Sequence, residues 1–125
     1  MVRKHIVKLS RLGAMTILVA LSTLTKAQDL TQTEYNLKVK QAYRQLERAQ
    51  LDLNRVLDQK KHSKLIIEKS CLYVNQLKSL NQFSLDNIHL DQAQDEVQFT
   101  AKLIQNYEQS FADLGTTYQE SCQKQ

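Results

Sequence analysis

Two cysteines, Cys71 and Cys122, are the residues of this chain best suited to covalent chemistry. They are separated by 50 residues, with no Cys-x-x-Cys spacing, so neither a redox dithiol motif nor a zinc ligand set is present in the sequence. An even cysteine count in an exported protein points instead to a disulfide. Intramolecular bonding, intermolecular bonding and free thiols all remain open at this level. A turn near residue 86 would set Cys71 beside residue 101 in an antiparallel partner helix. Cys122 would then lie about 30 Å further along if that helix ran straight, whereas a bridge needs Cα atoms within about 7 Å. An intramolecular bond therefore requires the last helix to end early. Gly115-Thr116-Thr117 is where the sequence invites this, because glycine fits the left-handed position just past a helix.

The other candidates are weaker. Asp86-Asn-Ile-His89-Leu-Asp91 offers mixed oxygen and nitrogen donors, but His62 is distant in sequence, and a zinc site needs three or four converging ligands. The segment reads as a polar turn with capping acids, and His62 as a solvated turn residue. Lys40, Arg44, Arg48 and Arg55 share the outer face of one helical stretch and could meet an anionic lipid, lipopolysaccharide or nucleic acid. Acids lie three or four residues away: Glu34 before Lys38, Asp52 after Arg48 and Asp58 after Arg55. They make the face partly compensated. No aromatic side chains interleave with it for base stacking. Phosphate-cradling glycine loops and nucleophile–base–acid constellations are absent from the sequence. The residues thus predict no catalytic, cofactor or metal site, and the chain reads as a non-enzyme without a nucleic-acid partner.

The elements that position these residues begin with the N-terminal segment. Arg3, Lys4, Lys8 and Arg11 precede an apolar run from Leu12 to Leu24, and no acid appears before Asp29. About 13 residues suit the core of a signal peptide; a membrane span takes about 20. Thr25-Lys26-Ala27 puts small residues at −3 and −1 of a cleavage site, so residues 1–27 read as a signal peptide cut between Ala27 and Gln28. The whole chain has 17 basic and 13 acidic side chains, a net of +4. Residues 1–27 hold five of the basic ones and no acid, which leaves residues 28–125 with 12 against 13, a net of −1. The basic balance therefore belongs to the leader and is no footprint of nucleic acid. No later apolar run is long enough to span a membrane. The expected compartment is the periplasm or the cell exterior.

Residues 28–125 have no Pro and a single Gly, and they are rich in Gln, Leu, Lys and Glu. Strand proteins need frequent turns, so this composition predicts an all-α domain. Leu30-Thr31-Gln-Thr-Glu34-Tyr35 starts the first helix. Thr31 and Glu34 form a capping box, and Leu30 can staple onto Tyr35. Apolar residues then recur at Tyr35, Val39, Ala42, Leu46, Ala49, Leu53 and Val56, a coiled-coil-like heptad seam edged by Tyr43 and Leu57. A second seam runs through Ala93, Val97, Thr100, Ile104, Tyr107, Phe111, Leu114 and Tyr118. Between them, residues 65–83 carry a wider stripe, including Leu65, Ile66, Ile67, Cys71, Leu72, Tyr73, Val74, Leu77 and Leu80. Such width implies cover from more than one neighbour. Ser63 is a candidate cap at the first break, and Ser84, Asp86 or Asp91 at the second. The predicted fold is a small antiparallel helical bundle, with helices near 31–60, 64–82 and 91–122, or else a two-helix hairpin.

Leu30-Thr31-x-x-Glu34 resembles the Leu-Thr-x-x-Gln motif of small helical periplasmic stress chaperones, with Glu in place of Gln. The resemblance covers five residues, occurs once, and is accounted for by the capping box, so no functional residue is carried across. The functional expectation is a small exported helical protein acting by protein–protein interaction: an envelope adaptor, an assembly factor or a small subunit. The alternatives are a periplasmic holdase, or a secreted helical adhesin or effector. Residues 28–78 carry a net of +4 and residues 79–125 a net of −5, which suits either intrachain attraction or head-to-tail homo-oligomers.

Overall fold

The computed structural model describes residues 29–123. The predicted signal peptide and its Ala27/Gln28 cleavage point lie outside the described residues. Within them the chain is all-helical: α1 (Gln32–Asp58), α2 (Ser63–Asp86), α3 (Ala93–Asp113) and a short α4 (Tyr118–Cys122).

Helix α1 starts as its residues dictate. The Thr31 hydroxyl accepts from the Glu34 N–H at 3.2 Å, and the Glu34 carboxylate accepts from the Thr31 N–H at 2.9 Å. Two of the orphan donors at the helix start are thereby satisfied. The Thr31 N–H first, and then the Thr31 hydroxyl donating to the same carboxylate at 2.7 Å, hold the Glu34 carboxyl below its ordinary value. At its other end α1 closes with the Lys60 N–H on the Leu57 carbonyl and the Lys61 N–H on the Val56 carbonyl. This is a Schellman closure with Lys60, at φ 50°, in the left-handed position where glycine is usual.

The order of contacts gives the topology. Tyr35, at the start of α1, stacks on Phe83 near the end of α2, with ring centroids 5.4 Å apart. Tyr73 on α2 meets Tyr107 on α3 at 5.0 Å. Asn81 donates to the Val97 carbonyl and to the Thr100 hydroxyl, each at 2.9 Å. Helix α2 therefore runs antiparallel to both α1 and α3, and it is the central helix. That position explains its wide stripe. Tyr73, Leu77 and Leu80 form one cluster with Leu46 of α1, flanked by Val39, Ala42 and Ile104. Cys71 and Val74 form another with Phe111 and Tyr118. The α1 seam is buried at Tyr35, Leu46, Leu53 and Val56 and half-buried at Val39, Ala42 and Ala49.

Several expected boundaries move. Helix α2 continues to Asp86 instead of ending near 82, because Phe83 and Ser84 pack on Tyr35, whose hydroxyl donates to Ser84 at 2.9 Å. The predicted caps do other work: Ser63 is the first residue of α2, behind His62, and Ser84 lies buried inside α2. Helix α3 begins behind Gln92, which sits at φ 67° without a side-chain cap. The predicted turn near 86 shifts accordingly. The Tyr73–Tyr107 pair puts the midpoint of the α2–α3 hairpin at residue 90, so Cys71 lies against Phe111 and not beside residue 101.

The largest departure is at the C-terminal end. The predicted helix 91–122 is two helices. Helix α3 stops at Asp113, where the Gly115 N–H bonds the Ala112 carbonyl and the Thr116 N–H bonds the Phe111 carbonyl. Gly115 has φ +79° and open space where a Cβ would be, so its backbone angle alone calls for glycine. Thr117 then caps α4 by accepting from the Glu120 N–H at 3.2 Å. Leu114, a seam position in a straight helix, is left 75% exposed.

Candidate interaction surface

The turn at residues 114–117 lays α4 back along α2, and Cys71 and Cys122 are joined in a disulfide with Cα atoms 5.4 Å apart. Of the arrangements open from sequence, the structure has the intramolecular one. The early helix end that it demands is the Gly115 closure. Tyr118 is the other anchor of α4. Its ring meets Phe111 edge-on at 6.4 Å and lies under the Lys78 ammonium, 4.2 Å from the centroid. Its hydroxyl donates to the Asn75 side-chain carbonyl. Lys78 also pairs with Glu108 of α3 at 3.2 Å.

The remaining sequence candidates are not brought together. His62 and His89 flank opposite ends of α2, and both are exposed. Asp86 accepts from Gln82 at 2.7 Å, and the Asp91 N–H donates to the Gln32 side chain at 2.8 Å, so the 86–91 segment is a turn fastened to α1. Among the described residues, no group of three or more His, Cys, Asp or Glu is placed to hold a metal ion. Lys40, Arg44, Arg48 and Arg55 are exposed, as the helical spacing predicts. Arg55 pairs with Asp52 at 3.4 Å and not with Asp58. No helix among the described residues is long and apolar enough to cross a membrane.

Buried polar groups hold the helices in register. Tyr43 of α1 donates its hydroxyl to the Glu96 carboxylate of α3. Burial, then this hydrogen bond and the Glu96 charge, raise the Tyr43 hydroxyl well above its ordinary value. Burial likewise raises Tyr35, Tyr73 and Tyr107. Thr100, fully buried, donates to the Glu96 carbonyl at 2.6 Å. Gln76 buries its Oε1 without a hydrogen-bond partner, between two shallow clefts of the α1/α2 face. The sequence signals none of these pairings, because each joins residues on different helices or depends on a buried environment.

What the bundle leaves open is an apolar groove. Towards the C-terminal ends of α1 and α3, Leu53 and Leu57 form one wall and Tyr107, Phe111 and Leu114 the other, with Ile66 of α2 between them. The groove offers about 310 Å³, the low end of the range for small-molecule sites. It is thus suited to the side chains of a partner more than to a whole metabolite. Leu57 is 47% exposed at its rim, opposite Leu114. Its two serine hydroxyls, from Ser70 and Ser110, have no acid or base beside them in the lining, and Ser110 donates to the Asn106 carbonyl of its own helix. The sequence places Leu57 at the edge of one seam and Leu114 within another; that they face one opening depends on the helix packing.

Comparison of the chain with protein-family models, with curated proteins and with solved structures gave no match.

Proposed function

We propose that this chain is a small exported helical protein that works through protein–protein contact and not by catalysis, as an envelope adaptor, an assembly factor or a small subunit. The observation that carries the reading is the α1/α3 groove: Leu53, Ile66 and Phe111 line it, and Leu57 and Leu114 stand exposed at its edges. An apolar helix face laid into such a groove would bury these leucines by helix-in-groove packing. The heptad seam of α1 packs mostly within the bundle, so its exposed edge residue Leu57 is what it offers to a coiled-coil-like contact with that partner or with a second copy. Export is supported by the basic, then apolar, N-terminal sequence and by the pairing of both cysteines. The compartment is then the periplasm or the cell exterior.

Site-specific photocrosslinking in the native envelope tests the reading. A photoreactive residue at Leu57 should yield one dominant adduct, identified by mass spectrometry and abolished by Leu114→Asp. The same probe at exposed Gln94 should not yield it. An adduct with a second copy of the chain would assign the groove to self-association. A ladder of unrelated unfolded proteins would replace the adaptor reading with a holdase. No adduct above the Gln94 control would remove the groove from consideration.

A further inference from the structure

We infer that α4 is a redox-latched strap: the Cys71–Cys122 disulfide holds it over an apolar surface of α2 and α3, and reduction releases α4 while the three long helices stay folded. Helix α4 has five residues, far too few to persist as an isolated helix. Its middle residues, Gln119 and Glu120, are exposed, and the disulfide and Tyr118 tie it to α2. Beneath it Cys71, Val74 and Phe111 are buried, at 7%, 0% and 4% exposure. The long helices have their own fastenings, which do not involve α4: Tyr35–Ser84, Tyr43–Glu96 and Asn81–Thr100.

The chemistry is thiol–disulfide exchange with a dithiol reductant. Cys71 is buried and Cys122 only partly so, which makes the Cys122 sulfur the accessible end. A reductant thiolate attacks that sulfur. The S–S bond breaks, and its electron pair leaves on the Cys71 sulfur, which takes up a proton. The second thiolate of the reductant then displaces Cys122, which is protonated in turn. Two electrons and two protons pass to the protein, and the reductant becomes a disulfide. With α4 free, the far sides of Val74 and Phe111 meet water. Phe111 and Tyr107 also border the α1/α3 groove, so the newly opened surface is continuous with it. Enlargement of a partner site rests on the function proposed above; the latch itself does not, and it is tested without any partner.

The test is hydrogen exchange read by mass spectrometry on the full chain, oxidised and after dithiothreitol, with Cys122→Ser measured without reductant. Reduction is expected to abolish protection across 114–123 and to speed exchange across 67–78, leaving 35–56 unchanged; Cys122→Ser should reproduce this pattern. Binding of an apolar dye should rise in parallel, with helical circular dichroism nearly intact. Equal protection of 114–123 in the two redox states, whether high or low, would overturn the latch. So would loss of protection throughout α1, α2 and α3, which would make the bond a staple of the whole fold.

Discussion

The Tyr35–Ser84 hydrogen bond offers a quantitative test of how the bundle is closed. Both residues are buried, at 1% and 0% exposure, and the bond joins the first turn of α1 to the last turn of α2. Tyr35→Phe removes the donor and leaves the Ser84 oxygen without it. Ser84→Ala strands a phenolic hydroxyl in the interior. Leaving one such group unsatisfied costs about 1–3 kcal/mol. The double variant Tyr35→Phe/Ser84→Ala removes both polar groups, keeps the ring stacked on Phe83, and replaces the pair with apolar groups of nearly the same shape. Such replacement is close to neutral. The double variant should therefore be more stable than the sum of the single losses predicts, by about 2–3 kcal/mol, where two such losses taken at their lower end meet the range for residues in contact. In a domain of this size, about 1 kcal/mol corresponds to a shift in Tm of roughly 4–8 °C, which thermal melts followed by circular dichroism resolve. Urea titration of the same four proteins supplies free energies. If the double variant loses what the single variants lose together, within about 0.3–0.5 kcal/mol, the two hydroxyls are independent. The end of the bundle would then be hydrated and not closed as described.

Leu46→Ala should cost about 2–5 kcal/mol and Phe111→Ala about 3–5, since both side chains are buried at 5% and 4%; melts overlapping the parent protein would show an exposed seam. Gly115→Ala should destabilise by about 1–2 kcal/mol, and Lys60→Gly should move stability the other way by about 0.5–1 kcal/mol, strain relief less the added unfolded-state entropy. Gly115 (φ +79°) and Lys60 (φ 50°) occupy the same left-handed position of two helix ends, and urea titration reads the signs. Because Tyr35, Tyr43, Tyr73 and Tyr107 are all raised in the folded state, their contribution to stability is complete below the unfolded value of 10.0. It is lost as pH climbs above that value towards the folded ones. Tyrosinate absorbance should therefore lag that of the urea-unfolded chain, and its rise should coincide with loss of helical signal.

The sequence by itself was sufficient for the helical class, the α1 cap and the α1 seam. Each of these is local: a capping box spans four residues, and a buried stripe repeats every three or four. It also located the point where a cysteine bridge would need the chain to turn, because only glycine accepts the left-handed angle cheaply and only Gly115 stands there. It did not show that Lys60 closes α1 in the same way, since nothing in its residue type announces a left-handed backbone. Nor did it show that α2 would run on to Asp86. That extension comes from Tyr35 packing on Phe83 and Ser84, about fifty residues away along the chain. The four extra residues move the hairpin midpoint to 90 and set Cys71 against Phe111. The backward fold of α4 can then bring Cys122 to Cys71. The α1/α3 groove is decided the same way. Periodicity assigns Leu57 and Leu114 to separate stripes, but whether an apolar residue ends up covered depends on how closely neighbouring helices approach, and that is a property of the tertiary packing.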